Sequence, residues 1–561
     1  MLAVAVAGLL IVSGGAALAL GSGLDALRDG TRALDAGRFA TAEDRLDAAR
    51  RRLAVASSIL GPASAALGWA GPPGDTIRLA SEVSGGARTL ADGGGHAASA
   101  ARSATREGFT TRVTSGFDLA AAQLQAGVQR LDAGADSGGL ESLASARARL
   151  RRAAGPLARR VGVAALLASM AGSSERYLLV IQNPAELRAT GGLVGAWGTL
   201  QGRAGSLRLT HLGTDLELPP GDRAVRASSE FVARYGRFGA TRTWANANMS
   251  ADFPTSARVL LALYEQRSGR RLDGVVAIDA RGLSYLLEAV GPVRSGRETL
   301  TADRFVSQAL VEGYERSPRR RGELLIAAAR AGWRALSEPG QVPELGRAVG
   351  TAAADGHLRV YARRHGLQRK AIAAGVAGRL ERPAGDYLQL VRQNAGANKL
   401  DYYASVRLRY DVRLRPDGGA DATLSCRIGN RAQPAALPAY VIGPRFGGEP
   451  PGLARSWVSA YSPRGASLMG FTGPEGRTAE SAEELGHAVH SWFHPVAPRG
   501  RSTARLALRL PRVVDARGRY HLLIQRQPSL QMERLTVTVD GRKLFDGRLA
   551  RDIRLSAAQG S

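Results

Sequence analysis

Hydrophobic and polar positions divide the chain into stretches of different period. The run from Leu2 to Leu20 contains no charged residue. As a helix it extends about 28 Å, close to the ~30 Å hydrocarbon layer of a bilayer, so residues 1–21 are expected to form a transmembrane anchor. A cleaved signal peptide is the competing reading, because Ala17, Leu18 and Ala19 have the small-x-small form of a processing site. Against it, the apolar run exceeds a usual signal core and no basic segment precedes it. Over residues 22–172, Ala, Leu and Arg recur at helical spacing, with Leu27, Leu34, Phe39, Ala42, Leu46 and Leu53 on one side. This predicts a helical stalk or bundle, interrupted by glycine-rich breaks at 68–74 and 93–95.

Residues 173–398 alternate between strand and helix signals. Strands are predicted at Arg176 to Ile181, at Val194 to Leu200 paired antiparallel with Ser206 to Leu212, and at Gly274 to Ile278. A helix from Pro254 to Glu265 has a clear start, with Asp252 ahead of it and Pro254 in its first turn. Together these predict a central α/β domain, a mixed sheet with helices on its faces. Over residues 399–561 helix signals nearly vanish. ASVRLRYDVRLRPDGGADATLSCRIGN is two alternating runs around a turn, and STARLALRLP, YHLLIQRQ and ERLTVTVDGRKL are three more strands. A C-terminal β-sandwich completes an α+β multidomain fold.

Charge narrows the partners. The formal net charge is +27 and is carried almost wholly by arginine, the lysines being Lys370, Lys399 and Lys543. Such a surplus favours anionic surfaces such as lipid headgroups or acidic wall polymers. Nucleic acid is not expected, since aromatic residues make up 5% and no nucleic-acid-binding motif occurs. Cys426 is the single cysteine, so neither an intrachain disulfide nor a multi-cysteine zinc site is available.

Candidate chemistry concentrates after the first strand of the central domain. Tyr177 to Ile181 empties into a polar turn with Asn183, Glu186 and Arg188, followed by Gly191, Gly192, Gly195 and Gly198. Glycines let backbone amides approach a ligand, and a guanidinium suits phosphate or carboxylate, so an anionic ligand is expected. The glycines imitate a dinucleotide fingerprint, but a strand rather than a helix follows them. Asp252 is a helix cap or a metal ligand. Asp279 ends a strand, where open α/β sheets hold ligands. Lys399 either pairs with Asp401 across the domain junction or meets substrate. His487 and His490 are expected on opposite strand faces, and His490 and His494 on the same one. Neither a zinc-hydrolase motif, a nucleophile elbow nor a phosphate loop is present.

Four segments occur in order: YLLVIQNPAELRATGGLVGAWG, NANMSADFPTSARVLLALY, LDGVVAIDARGLSYLLEAVGPV and NAGANKLDYY. They resemble the membrane-anchored family catalogued as domain of unknown function 4012, over roughly Leu24 to Phe545. The resemblance implies a single-pass protein of the cell membrane with its bulk outside, of the Gram-positive type involved with surface polysaccharide. The stretch from Asn246 to Val293 is in addition similar to the core of LytR–CpsA–Psr phosphotransferases, which move glycopolymers from a polyprenyl pyrophosphate carrier to peptidoglycan. Those use arginines on the pyrophosphate and carboxylates holding magnesium. The similarity implies Arg188 and Asp279 as catalytic residues and Mg2+ on Asp252 and Asp279. Asn183, Glu186, Gly191, Gly192, Asn246, Asn248 and Lys399 would bind a polyprenyl-pyrophosphate glycan. The serine-x-x-arginine-aspartate signature of that family is absent, and ELRATGG stands in its place. The alternative is a noncatalytic glycan-binding or scaffold protein using the same cleft or the β-sandwich.

Overall fold

The structure is a computed structural model that describes the backbone of residues 2–67, 71–133, 140–214, 217, 223–313, 318–337, 342–443, 449–476 and 478–558. Five helices open the chain: α1 (Leu2–Asp35), α2 (Phe39–Leu67), α3 (Gly71–Glu107), α4 (Thr111–Ala133) and α5 (Glu141–Ala171). Each packs on the next, around a core that includes Leu46, Leu53, Leu79, Val83, Leu90 and Leu124.

The expected transmembrane anchor is overturned. Among the described residues no helix is long and apolar enough to cross a membrane. The side chains of residues 2–13, which carry most of that expectation, lie outside the described residues. Beyond them α1 behaves as a bundle helix, with Ala16, Leu20, Ala26, Leu27 and Ala33 buried. Its glycines are seats for neighbouring side chains: a Cβ at Gly23 would lie 2.7 Å from Leu53 Cγ, and one at Gly30 would lie 2.5 Å from Leu46 Cγ. The same device removes a predicted break. Residues 93–95 lie within continuous α3, because Gly93 receives Leu124 and Gly94 receives Leu46. The expected break at 68–74 falls partly on residues 68–70, outside the described residues.

The end of α5 enters the next layer, with Val163, Leu166 and Met170 in the core of the central sheet. That sheet contains β1 (Arg176–Asn183), β2 (Leu193–Arg203), β3 (Ser206–Thr214), β4 (Gly274–Asp279) and, after a small hairpin of β5 (Val293–Ser295) and β6 (Glu298–Leu300), β7 (Leu358–Ala362). The order is β3-β2-β1-β4-β7, and only β1 and β4 run parallel. Both faces of β1 are covered. Tyr177, Leu179 and Ile181 meet α8 (Ala280–Val290) and the helices Pro318–Ser337 and Val342–Ala354, while Leu178 and Val180 meet α6 (Ser229–Tyr235) and α7 (Phe253–Ser268). This explains the unbroken apolar run, which a half-exposed strand would not show.

Twelve strands form two six-stranded sheets: β8 (Asp386–Asn394), β9 (Ala404–Leu414), β10 (Ala420–Asn430), β11 (Ala454–Ser462), β12 (Ser467–Thr472), β13 (Glu480–Glu484), β14 (His487–Val496), β15 (Arg501–Leu510), β16 (Arg519–Ile524), β17 (Arg534–Val539), β18 (Arg542–Arg548) and β19 (Ile553–Ala558). The orders are β12-β15-β10-β9-β17-β18 and β13-β14-β11-β8-β16-β19. β8 precedes the boundary expected at 398/399, yet it is an interior strand of the second sheet. Leu388 and Leu390 face the sandwich core and Tyr387 and Val391 face the central domain, so both sides are buried and no alternation marks the strand.

Asp386 is fully buried at the start of β8, accepting hydrogen bonds from Tyr410 Oη (2.9 Å), Tyr520 Oη (2.6 Å) and the Tyr387 amide (2.7 Å). Burial raises its pKa from 3.8 to about 6, against the hydrogen bonds, which lower it. Between those values the folded protein keeps a proton that the unfolded chain has lost. The site's contribution is therefore full at low pH and is lost as pH rises through the folded value. That rise in pKa corresponds to roughly 3 kcal/mol. In urea unfolding, the stability of Asp386→Asn relative to wild type is expected to rise by on the order of 3 kcal/mol between pH 4 and pH 7. A difference independent of pH would contradict this account.

Candidate functional site

β1 delivers the turn Asn183 to Gly192 to the carboxyl end of the parallel β1–β4 pair. Asn183 Oδ1 accepts the Ala185 amide (3.0 Å), an Asx turn that bends the chain back. Gly191 (φ 137°) and Gly192 (φ 153°) then close the loop on itself. A Cβ on Gly191 would lie 2.6 Å from Gln182 Oε1, and one on Gly192 would strike the Asn183 carbonyl. The close approach that the glycines permit is made by their own chain.

Arg188 is buried, and every nitrogen of its guanidinium is engaged. Nε donates to the Ala245 carbonyl (3.0 Å) and Asn246 Oδ1 (2.9 Å), Nη1 to the Leu187 and Asn394 carbonyls (2.9 and 3.4 Å), and Nη2 to Glu186 Oε1 (3.3 Å). The other Glu186 oxygen takes the Lys399 ammonium, which also lies 5.0 Å from the centre of the Tyr440 ring. Lys399 thus pairs with Glu186 and not with Asp401. Asp401 instead accepts the Leu187 amide (3.0 Å) and Asn394 Nδ2 (2.8 Å) and pairs with Arg392 (3.3 Å). Gln527 ties the two halves, donating to the carbonyls of Arg188 (3.0 Å) and Arg392 (2.8 Å).

The two asparagines support the same turn. Asn246 Nδ2 donates to the Phe238 carbonyl (2.7 Å), and Asn248 Nδ2 donates to Thr190 Oγ1 (3.1 Å) and the Gly192 carbonyl (2.7 Å). Asn183, Glu186, Arg188, Gly191, Gly192, Asn246, Asn248 and Lys399 are therefore brought together. The carboxylates named for magnesium are occupied elsewhere. Asp252 caps α7 through Thr255 (amide 3.0 Å, Oγ1 2.7 Å) and accepts the Leu380 amide (3.2 Å). Asp279 caps α8 through the amides of Arg281 and Gly282 (3.0 and 2.9 Å), and its second oxygen takes His357 Nδ1 at 2.7 Å. No hydrogen bond or ion pair joins Arg188 to either. Magnesium demands several free oxygens in near-octahedral array, and these carboxylates, spent on caps, do not fit it. Among the described residues no group of three or more His, Cys, Asp or Glu side chains is placed to hold a metal ion. The three histidines of β14 are all buried, and His494 accepts from Trp492 Nε1 (3.0 Å).

Residues 173–314 match the model of a family described as protein of unknown function (DUF4012). No curated protein and no solved structure matches the chain. The DUF4012 segment holds the turn, both asparagines, Asp252 and Asp279, but not Lys399 or Asp401, so the ionic cluster joins it to residues outside the match.

Sequence reading missed a second buried cluster at the same domain junction. Glu484 of β13 accepts from Tyr235 Oη (2.6 Å), Tyr461 Oη (2.6 Å) and Ser250 Oγ (2.5 Å) and pairs with Arg234 (3.1 Å). Burial and then this carboxylate push the Tyr235 phenol up, so it stays a donor. The run ESAEEL gives no sign that its fifth residue is buried. Also missed were His357 and Arg359 of the HLRVY segment, which alternation assigns to an ordinary strand.

Removing one member of a buried ion pair strands its partner and costs about 3–5 kcal/mol. Lys399→Met is expected to lose stability on that scale in urea unfolding, and adding Glu186→Gln should recover most of it. A Lys399→Met protein as stable as wild type would rule out the cluster as a clamp.

Proposed function

We propose that the chain is a noncatalytic glycan-binding or scaffold protein of the cell envelope, which holds an anionic polymer on the outer face of its β-sandwich. The observation that carries this reading is a pairing of like charges. Arg407 of β9 stands directly opposite Arg427 of β10 on the exposed side of the first sheet. Like charges directly opposite destabilise a sheet, so their presence calls for a counter-charge from outside. Arg409, Arg413, Arg505 and Arg509 are exposed on the same face; among the described residues of β9, β10 and β15 the carboxylates there are Asp411 and Asp421, paired with Arg409 (2.7 Å) and Arg509 (3.2 Å). A shallow depression of about 650 Å³ there is lined by Arg409, Arg413, Arg509 and the exposed Met469. An extended polyanion suits a flat cationic sheet, and the net charge of +27 would draw it in from a distance.

Absence of turnover is supported by the saturation of Arg188 and the engagement of Asp252 and Asp279 as caps. The envelope setting is supported by the resemblance of the central segments to Gram-positive surface proteins. The competing phosphotransferase reading keeps one supporting observation, the location of Asp279 at the carboxyl end of a parallel strand pair.

Poly(glycerol phosphate) is expected to bind the full chain at low salt, to weaken as salt screens the charges, and to bind Arg407→Gln/Arg427→Gln at least tenfold more weakly. Calorimetry checks this against neutral dextran. Equal binding by variant and wild type, or equal binding of dextran, would sink the sheet-face reading. Magnesium-dependent binding of polyprenyl pyrophosphate, lost in an Arg188→Ala protein that remains folded, would return the phosphotransferase reading to first place.

A further inference from the structure

A cavity of about 300 Å³ opens where the bundle, the central domain and the sandwich meet. α5 contributes Arg159, β7 contributes Arg359, and the segment after it contributes Gly378 and Arg379. The sandwich contributes Arg526, Arg551 and Arg554. Six arginines thus face three carboxylates, those of Asp355, Glu381 and Asp552. The arrangement is graded by depth. Arg379, Arg551 and Arg554 are exposed at the mouth, whereas Arg359 is 8% exposed.

Arg359 differs from every other buried cation described above. Its Nε is buried without a hydrogen-bond partner, as are those of Arg234 and Arg392, but those two pair with Glu484 and Asp401. Among the described residues its guanidinium makes no hydrogen bond and no ion pair, and the carboxylates of Asp552, Asp279 and Asp252 attract it only from farther off while Arg526 repels it. Arg526 is committed elsewhere, donating to the Asp355 (2.7 Å) and Ser529 (3.2 Å) carbonyls. Burial pulls the Arg359 pKa down to about 10, so it is still a cation at neutral pH. Its position is built for: Gly378 has φ +58°, and a Cβ there would collide with Arg359 Nη1. On the bundle side, burial and then repulsion from Arg551 lower the Arg159 pKa, the mark of positive charges facing one another across the opening.

A buried, unpartnered guanidinium destabilises the fold unless something neutralises it. The surplus of three positive charges exceeds what one monocarboxylate would balance. A guanidinium fork matches the paired oxygens of a phosphoryl group. We infer that this cavity binds a compact, multiply charged oxyanion of the phosphate class, with Arg359 as the buried contact and Arg159, Arg379, Arg551 and Arg554 around its mouth. Free pyrophosphate and a phosphate borne on a lipid or polymer offer the same chemistry. The site shares no residue with the arginine-covered sheet face and does not depend on polymer binding there.

Calorimetry of the full chain with inorganic pyrophosphate tests the inference. One-to-one binding is expected, at least tenfold weaker in Arg359→Gln and in the mouth variant Arg551→Gln/Arg554→Gln, and unchanged in Arg28→Gln/Arg45→Gln, which alters exposed bundle arginines. Arg359→Gln removes an unpaired buried charge and is expected to melt no lower than wild type. Should it fail to fold, the exposed mouth variant carries the test. Vesicles containing phosphatidic acid that compete with pyrophosphate would mark a headgroup as the source, and absence of competition would mark a soluble phosphate. No one-to-one binding, equal binding by wild type and both cavity variants, or equal loss in the bundle control would overturn the site. Poly(glycerol phosphate) binding measured on the same proteins separates that failure from failure of the sheet-face reading.

Discussion

The join between the central domain and the sandwich depends on one buried constraint: the charges of Glu186, Arg188, Arg392, Lys399 and Asp401 must each find an opposite charge or hydrogen-bonding partners out of water. Two of them belong to the turn after β1 and three to the segment from β8 to the start of β9. Each is at most 7% exposed. Charges so buried are tolerated only with near-complete pairing and hydrogen bonding, and that demand fixes the turn, β8 and the Gln527 side chain relative to one another. The Glu484 cluster repeats the device farther along the same interface, with two phenols and a guanidinium on one carboxylate. An interface made this way is specific in register. A sliding contact between apolar faces would not be.

This constraint also explains which parts of the molecule were legible in the sequence. Strands with one wet face announced themselves: β9, β10 and β15 alternate almost without fault, and the turn between β9 and β10 carries its own signal. α7 was legible because its cap and its proline are local features. β8 was not, since it is buried on both faces yet carries Gln389, Arg392 and Gln393 among its buried residues, and so shows neither alternation nor the unbroken apolar run that marked β1 and β4. The glycines of α3 misled for a related reason. Glycine reads as a breaker when judged alone, and its role as a seat for a leucine from another helix exists only in the folded bundle. The apolar opening of α1 reads as a membrane span by composition, whereas from Ala16 onward the burial belongs to bundle contacts.

The gathering of residues around the turn was legible in the sequence, and their partners were not. Eight of the residues singled out do gather around the turn, which the clustering of Asn, Glu, Arg and Gly after a strand had signalled. The sequence lacked the partners: nothing near Arg188 announces that the Ala245 and Asn394 carbonyls will absorb its donors, because they lie 57 and 206 residues away along the chain. Lys399 was expected beside its near neighbour Asp401 and found Glu186 instead, 213 residues distant.

Two arginines make the general point. Arg188 and Arg359 are both buried and both lie close to the carboxyl end of the parallel strand pair or its flank. By residue type they are interchangeable candidates for an anion site. The first has a local acceptor for every nitrogen, so an incoming phosphate would have to displace protein hydrogen bonds of comparable strength, and little net affinity remains. The second has attraction only at a distance, a glycine that keeps space for it, and an opening lined by further arginines. A ligand there displaces no protein hydrogen bond of the guanidinium and relieves a desolvated charge. In a chain with 76 Lys and Arg residues, positive charge by itself locates no function. Charge that the fold has buried and left unanswered does, because folding would otherwise have selected against it.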